Sequence, residues 1–306
     1  MQKTTHYFFM LFILLPILWS YSAYSHENTF CETDDTGIKL RLKKKPTRII
    51  SLAPSTTELL YAAGAGKQVI AVDNYSDYPP VVKKLPKVGG YPNISFETLV
   101  SLKPDLIVVW SGGNSPRLIQ QIESSRLALF RLEADHFTAI AADIEKLGSL
   151  TGNIRLAHKN ATLFIETLNR IKARYHQQQP ISVFFEIWSS PLMTVGGQQI
   201  INEVITLCGG HNIYADTTTK IPLVSMESLL SINPDIIIAT HPTGESKEKT
   251  KAMTEYWSKW PSLTAVKKQQ LFSVPADLIA RPSPRILQGA EILCHYLESV
   301  RKDKKP

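Results

Sequence analysis

Short apolar runs rich in β-branched residues alternate with helical patterns along most of the chain. The runs occupy residues 48–53, 69–73, 106–110, 128–132, 182–187, 236–240 and 271–274. Short runs of this kind are typical of buried strands, and their alternation with helices favours parallel sheets. The first run leads into PSTTELLYAAG, where Ser55 or Thr56 is predicted to cap a helix that Gly64 ends. The pattern predicts an α/β fold.

Two segments of the chain repeat one another. ETLVSLKPDLIVVW (97–110) and ESLLSINPDIIIAT (227–240) align without a gap. Each predicts a short helix that begins at a glutamate, a turn at a Pro–Asp pair that stops the helix, and a buried strand. Because helix, turn and strand form half of an α/β unit, the repeat predicts two similar α/β lobes.

The longest helical pattern lies between the two repeated segments. Its apolar residues recur every three or four positions, at Ile154, Ala157, Ala161, Phe164, Leu168, Ile171 and Tyr175. At 1.5 Å per residue such a helix is about 30 Å long. Its position favours one long helix that joins the lobes and limits their hinging, with an ordinary core helix of one domain as the alternative. The predicted parts are an N-terminal segment (26–46), an N-terminal lobe (47–135), an interlobe helical region (136–179) and a C-terminal lobe (180–306).

The first 25 residues have the features of a secretory signal peptide. A lysine precedes the apolar run YFFMLFILLPILW, and small residues, Ala23 and Ser25, precede a predicted cleavage site before His26. A membrane anchor is the alternative, but the apolar run is shorter than the ~20 residues that a membrane-spanning helix needs. We therefore expect an exported protein.

The charge distribution does not indicate nucleic-acid binding. The full chain has a formal net charge of +7, and its lysines concentrate at 41–46 and 301–306 without interleaved aromatic residues. Such runs are usually solvated tails.

Three cysteines follow the signal segment. In an oxidising compartment two of them are expected to form a disulfide. Cys208 and Cys294 lie in apolar, folded-looking contexts, whereas Cys31 lies in the polar segment HENTFCETDD. We predict a Cys208–Cys294 disulfide, worth roughly 4 kcal/mol in the chain-entropy model. Cys31 is predicted to be free; lipid attachment is the alternative, although NTF before it lacks the small residues that lipoprotein processing prefers.

Catalytic and metal motifs are absent from the sequence. It contains no GxSxG, no Walker loop and no HExxH, and its histidines lack close metal-ligand spacing. We therefore expect neither an enzyme nor a metal site.

Several motifs together resemble a known protein family. They are RIISLAPSTTELLYAAG (48–64), NYSDYPP (74–80), SLKPDLIVVWSGGN (101–114), CGGHNIYAD (208–216) and ARPSPRIL (280–287). From about Thr47 to Val300 the chain resembles the periplasmic substrate-binding proteins of ABC importers that have a rigid interlobe helix and carry cobalamin, iron siderophores or haem. The motifs YSDYPP and WSGGN are most similar to the cobalamin branch.

The resemblance implies a periplasmic protein that binds cobalamin in a cleft between its lobes, as a transported ligand and not as a cofactor. A flat macrocycle rimmed with amides needs aromatic faces and a few hydrogen-bonding groups. The implied contacts to the corrin ring are Tyr75, Asp277, Leu278, Ile279, Ala280 and Arg281, with Trp110, Pro54 and Ser55 nearby. Trp110 precedes a Gly–Gly loop at the end of a strand, where α/β sheets place ligands.

The sequence departs from the cobalamin branch at three positions where that branch tends to have pocket aromatics, namely Tyr91, Ile221 and Met193. Tyr91 is retained as a candidate contact, and Trp188 is expected to compensate. The departures leave room for a corrinoid with a different lower face.

The repeated glutamates have an implied role as well. In the family each lobe presents an exposed carboxylate to an arginine cluster on a two-fold symmetric permease, and Glu97 and Glu227 match those positions. The expected partners are thus a BtuC-like ABC permease and its ATPase subunits. The simpler alternative is that each glutamate only favours a helix start.

The alternative ligands are haem and ferric siderophores, carried on the same fold. A protein that binds an anionic siderophore would need several arginines facing it, for which Arg281, Arg285 and Arg117 are the candidates. Haem would need an iron ligand, for which Tyr75 or Tyr91 is the candidate.

Overall fold

The computed structural model describes residues 30–175, 177–243 and 245–304. The predicted signal peptide and residues 26–29 lie outside this range. In the first half the elements are β1 (Phe30–Thr33), β2 (Lys39–Leu42), β3 (Ile49–Ser51), α1 (Pro54–Ala62), β4 (Val69–Val72), β5 (Gly89–Gly90), β6 (Asn93–Ile94), α2 (Phe96–Ser101), β7 (Leu106–Trp110), α3 (Pro116–Ser124), β8 (Leu129–Leu132) and α4 (Phe137–Thr151). In the second half they are α5 (Ile154–Tyr175), β9 (Ile181–Glu186), β10 (Trp188–Ser189), β11 (Leu192–Met193), α6 (Ile200–Leu207), β12 (Gly210–Asn212), α7 (Met226–Ile232), β13 (Ile236–His241), α8 (Ser246–Trp257), α9 (Thr264–Lys267), β14 (Leu271–Pro275), α10 (Ala276–Ile279) and α11 (Ile286–Lys304).

Each lobe is built on a four-stranded parallel sheet. The N-terminal sheet has the order β4-β3-β7-β8 and the C-terminal sheet the order β12-β9-β13-β14. The strand of the repeated segment, β7 or β13, occupies the third position in both sheets and is almost entirely buried. The structure confirms the predicted α/β fold with two similar lobes.

The long helix α5 contacts helices of both lobes. It packs against α1 and α4 on one side of the molecule and against α6 and α11 on the other. The residues of its predicted apolar stripe are buried from Ala157 to Tyr175, whereas Ile154 is 65% exposed, so the buried stripe begins three residues later than its pattern predicts. A continuous apolar core follows the buried face into both lobes. The exact domain boundaries stay a prediction.

The repeated segments fold alike in detail. Ser95 and Ser225 cap the two short helices, and each hydroxyl oxygen accepts a hydrogen bond of 3.1 Å from the backbone amide three residues later. After each helix, the residue just before the proline has a positive φ, at Lys103 (48°) and Asn233 (55°). The helices thus begin one residue before the glutamates, which lie in their first turns.

The aspartate of each Pro–Asp pair holds the start of another strand. Asp105 accepts hydrogen bonds of 2.9 Å from both the amide and the hydroxyl of Thr47, and Asp235 accepts bonds of 2.9 and 2.7 Å from the same groups of Ser182. The bonds from Thr47, opposed by burial, lower the pKa of Asp105. Burial alone would raise the pKa of Asp235, yet bonds from Lys304 and Ser182 outweigh it and lower that pKa.

The predicted cap of α1 is wrong. Proline occupies the first helical position, which its fixed φ favours, so Ala53 precedes the helix and Ser55 and Thr56 lie inside it. The Thr56 hydroxyl instead donates to the carbonyl of Ala53 at 2.9 Å. Gly64, with φ of +86°, follows the helix end as predicted.

The cysteines are arranged as the sequence predicts. Cys208 and Cys294 form a disulfide that joins the end of α6 to α11, and Cys31 is a free thiol on β1. Within the described part of the chain, no helix is long and apolar enough to cross a membrane.

Candidate ligand-binding cleft

Two neighbouring cavities lie between the lobes. The first has a volume of about 750 Å³ and is lined by Asp77, Glu186, Ile187, Trp188, Ser189, Thr240, His241, Pro242, Thr243, Ala276, Asp277 and Arg281. The second has a volume of about 150 Å³ and is lined by Trp110, Gly112, Glu133, Ala134, Asp135, Gln198, Gln199, Ile200, Lys220, Ile221, Ala280 and Pro282. Both contain residues of both lobes, and we call them together the cleft.

The predicted contacts divide between the two cavities. Trp188, Asp277 and Arg281 line the first, and Trp110 and Ala280 line the second. The loop that follows α10 therefore separates the cavities and contributes to both.

Six predicted contacts lie outside both linings. Tyr75 and Tyr91 are 60% and 61% exposed. Ser55 is buried and Pro54 half-buried in the first turn of α1. Leu278 is half-buried, and Ile279 is fully buried in the apolar core, so its side chain supports the loop from inside.

The Gly–Gly loop after β7 packs directly over the Trp110 indole. A Cβ atom at Gly113 would lie 2.0 Å from the ring carbon Cε3 of Trp110, so no larger residue fits there. Asn114 fixes the loop, since its side chain accepts from the Trp110 amide and donates to the carbonyl of Leu52, both at 2.8 Å. The sequence WSGGN therefore presents one face of the indole at a fixed place beside the second cavity.

Trp188 is the exposed aromatic of the first cavity. It lies on β10, is 61% exposed, and its indole N–H donates to the carbonyl of Ser190 at 2.7 Å. Its neighbour across the hairpin is Met193, which is half-buried.

Asp277 is held as a carboxylate at the cavity wall. The Thr243 hydroxyl donates to its Oδ1 at 2.6 Å, and Arg285 donates to its Oδ2 at 3.0 Å. Burial alone would raise the pKa of Asp277, but these bonds and the charge of Arg285 keep it below its ordinary value. Asp277 therefore offers hydrogen-bond acceptors to a bound ligand.

Arg281 spans the cleft. Its Nη1 donates to Asp77 Oδ1 at 2.7 Å and to Glu58 Oε1 at 3.2 Å, both in the N-terminal lobe. Lys220 makes a second crossing beside the smaller cavity, 3.2 Å from Glu133 Oε1. Oppositely charged side chains thus face each other across both cavities.

Two residues at the strand ends, Glu186 and His241, were not predicted as part of the site. Glu186 ends β9 and accepts a 2.8 Å bond from the Trp257 indole, and His241 ends β13 with its Nδ1 2.7 Å from the carbonyl of Pro242. Both are buried at the wall of the first cavity. The rule that α/β sheets bind ligands at the carboxyl ends of their strands would have found them, had it been applied to every strand and not only to β7.

The remaining candidates lie elsewhere on the surface. Glu97 and Glu227 are exposed at equivalent places on α2 and α7, and Arg117 is exposed on α3 outside both linings. Among the residues described, no group of three or more His, Cys, Asp or Glu side chains is placed to hold a metal ion.

Comparison with known proteins places this fold and cleft in context. The chain is 36% identical over 253 residues to a vitamin B12-binding protein of Yersinia pestis, which covers 83% of this chain and 87% of the relative. The structure of this chain is similar to that of the periplasmic vitamin B12-binding protein BtuF of Vibrio cholerae. The TM-score is 0.77 and the identity 35%, and the match covers 84% of this chain and 99% of that one.

A haem-binding protein shares the fold as well. The periplasmic haem-binding protein RhuT of Roseiflexus matches with a TM-score of 0.71 at 23% identity, over 83% of this chain and 98% of that one, which shows likeness of fold alone. Residues 49–278 match the family model described as periplasmic binding protein, whose members are substrate carriers and not enzymes. The chain therefore belongs to the periplasmic binding protein family.

Proposed function

We propose that the protein captures cobalamin in the interlobe cleft and delivers it to an ABC importer of the inner membrane. The observation that carries the proposal is the convergence in one cleft of aromatic faces, Trp110 and Trp188, with the fixed polar pair Asp277 and Arg281. The likeness to proteins named for vitamin B12 supports the same ligand.

The size and polarity of the cleft suit a corrinoid. Sites for small molecules usually have volumes of about 300 to 1,000 Å³, with apolar walls and a few placed polar groups. The larger cavity, at about 750 Å³, is in this range. In this arrangement the indoles contact the apolar faces of the corrin, Asp277 accepts bonds from amide N–H groups of its rim, and Arg281 donates to amide carbonyls.

The charges of the cleft argue against an anionic siderophore. Arg281 and Arg285 are both paired with carboxylates, and Arg117 is in neither cavity lining. A compensated arginine offers little free charge to an anion, because its favourable interaction is already made.

Delivery requires a membrane partner, and we place its contact at the repeated helix starts. Glu97 and Glu227 are exposed, lie in the first turns of matching helices, and belong one to each lobe. A two-fold symmetric, BtuC-like permease with its ATPase subunits would meet the same charge twice.

Family membership implies the periplasm, and we propose that export uses a signal peptide cleaved before His26.

Titration of the mature protein, from residue 26, with cyanocobalamin, haemin and a ferric siderophore tests the ligand. Calorimetry and absorbance should detect tight binding of cyanocobalamin alone. Trp188→Ala should weaken it by about 1 to 3 kcal/mol, the usual scale for an aromatic ligand contact. Tyr75→Ala tests on the same scale the contact that the family resemblance implies for Tyr75, which lies outside both linings.

The matched control is Leu163→Ala, an exposed apolar residue on α5 outside both cavities. It should leave the affinity unchanged. Preference for haemin or the siderophore would overturn the assignment, and an unchanged affinity of Tyr75→Ala would remove Tyr75 from the site.

A further inference from the structure

A buried carboxylate of the N-terminal lobe lies behind the cleft. Glu58 is on α1, its side chain is 2% exposed, and it is not part of either cavity lining. An ionised side chain is almost never buried to this extent unless it is paired. Its partners all come from the other lobe.

Glu58 binds three side chains of the loop between α10 and α11. Arg285 makes a two-pronged contact, with Nε 2.9 Å from Oε2 and Nη2 2.6 Å from Oε1. The Ser283 hydroxyl donates to Oε2 at 2.6 Å, and Arg281 Nη1 donates to Oε1 at 3.2 Å. Such fork-like pairing between guanidinium and carboxylate fixes orientation as well as distance.

Glu58 is linked to two candidate ligand contacts, directly to Arg281 and through Arg285 to Asp277. Arg281 contacts it directly and also reaches Asp77. Arg285 uses its remaining nitrogen to hold Asp277 Oδ2 at 3.0 Å, while its guanidinium lies 4.1 Å from the centre of the Tyr78 ring. The guanidinium is thus fixed on three sides and can set the carboxylate of Asp277.

We propose that Glu58 is a positioning residue, which holds Asp277 and Arg281 in the geometry that binds the ligand. This role of Glu58 rests on the proposed function, since Asp277 and Arg281 matter only if the cleft binds a corrinoid. Glu58 itself lies behind the loop and is in neither cavity lining.

The role requires both the charge of Glu58 and its reach to two nitrogens of Arg285. Two arginines face the same buried position, and removal of their shared carboxylate leaves cationic groups with fewer partners in a poorly solvated place. Arg281 would then shift towards Asp77 and Arg285 towards Asp277. The two ligand contacts would move relative to each other, and a site that is slightly displaced loses affinity.

The test compares cyanocobalamin affinity in the mature wild type, Glu58→Gln and the matched control Glu203→Gln. Glu203 is a half-buried carboxylate that joins α6 of the C-terminal lobe to the start of α4, since its Oε2 accepts from the Phe137 amide at 2.6 Å. In the described residues it makes no hydrogen bond to the loop between α10 and α11. Glu58→Gln should weaken binding about tenfold, within the range for residues of one hydrogen-bond network. Glu203→Gln should stay within about twofold, as expected for independent sites.

A second measurement separates positioning from a general effect on the fold. In an Asp277→Asn, Arg281→Ala background, Glu58→Gln should change the residual affinity by no more than about twofold, because its two routes to the ligand are gone. If Glu58→Gln does not fold, Glu58→Asp, which keeps the charge but cannot reach both prongs of Arg285, replaces it throughout.

The outcomes are distinct. A wild type that binds no corrinoid would refute the proposed function. A wild type that binds, together with an unchanged Glu58 variant or an equal loss in both backgrounds, would overturn the positioning role alone.

Discussion

The two repeated segments are alike where they begin and different where they end. Both start with a serine cap and an exposed glutamate, and both turn at a Pro–Asp pair. At the far end, Trp110 and Thr240 occupy the same aligned position, yet the first lines the smaller cavity and the second lines the larger one. The repeat is therefore preserved on the outer surface and lost at the cleft.

This difference indicates which part of the repeat serves the fold and which serves the ligand. The turn aspartates make the same contacts in both lobes, so selection on folding explains them. A single asymmetric ligand between the lobes meets two different surfaces, so the strand ends gain nothing from being alike. The matched glutamates fit either a symmetric partner or the start of a helix, where a carboxylate in the first turn is favourable.

The lobes also differ in what stabilises them, and the largest predicted effect tests this difference. The disulfide Cys208–Cys294 lies wholly in the C-terminal lobe. Its replacement by two alanines should lower the free energy of unfolding by roughly 4 kcal/mol, because the unfolded chain gains a long open loop. Guanidinium denaturation measures the loss, and hydrogen exchange should locate it in the C-terminal sheet.

Cys31→Ala is the control and should change little. Mass spectrometry without reduction should find Cys208 linked to Cys294 and Cys31 free. Equal loss of protection in both sheets would show that the lobes unfold as one unit.

A second prediction concerns a buried carboxylate on α4, in the interlobe helical region. Asp143 on α4 is fully buried beside Asp35 and Lys146, and its Oδ2 has no hydrogen-bond partner in the described residues. Burial, and then the neighbouring charge of Asp35, raise its pKa from 3.8 to about 8. The folded protein therefore keeps a proton on Asp143 that the unfolded chain releases above pH 3.8.

Stability should consequently fall as the pH rises from about 4 to 8 and level off above that range, because between these values the folded state binds one more proton. Asp143→Asn should remove this slope, so the stability of the variant relative to the wild type should be roughly 3 kcal/mol higher at pH 7 than at pH 5. Thermal unfolding across this range checks it, with the exposed Asp216→Asn as control. A slope that persists in Asp143→Asn would assign it to another group.

A third prediction tests the shared turn. Asp105→Ala and Asp235→Ala should each destabilise the protein by about 1 to 3 kcal/mol, the scale for hydrogen bonds to a charged group. Because both carboxylates have lowered pKa values, their contribution is present above pH 3.8 and is lost as the pH falls further. Unequal losses at neutral pH would show that the repeat is not equivalent in energy.

Much of the fold could be predicted from local pattern. The strand Leu106–Trp110, the helix Ile154–Tyr175 and the Cys208–Cys294 pair follow from apolar periodicity and context, since each depends on the sequence nearby. The predicted cap of α1 was wrong because Pro54 occupies the first helical position, so that Ser55 and Thr56 lie inside the helix and not at its cap.

The site was harder to predict, because it depends on distant contacts. Glu58 meets Arg281 and Arg285, more than two hundred positions later in the chain, and no local pattern announces that pairing. Tyr75 and Tyr91 show the converse case, in which residues were predicted as contacts but lie outside the cavity linings. Their assignment rests on the family resemblance, and their side chains are largely exposed.

The last prediction, with the smallest effect on stability, tests whether the matched glutamates serve a partner or only the starts of their helices. Glu97 and Glu227 are exposed, and no contact of either with the cleft is seen in the described residues. Glu97→Ala with Glu227→Ala should leave cyanocobalamin affinity and unfolding unchanged, yet weaken the complex with the permease and slow transport in vesicles.

Each exposed ion pair contributes about 0.2 to 1 kcal/mol and is screened by salt, so the defect should shrink as ionic strength rises. Either single change should give a partial defect, because a two-fold partner keeps one contact, and lysine should be worse than alanine, because it opposes like charges. Glu255→Ala, an exposed glutamate on α8 outside the repeat, is the control. Normal transport by the double variant would show that the matched glutamates only favour the starts of their helices. A loss of ligand binding would show that they contribute to the cleft and not to a separate docking surface.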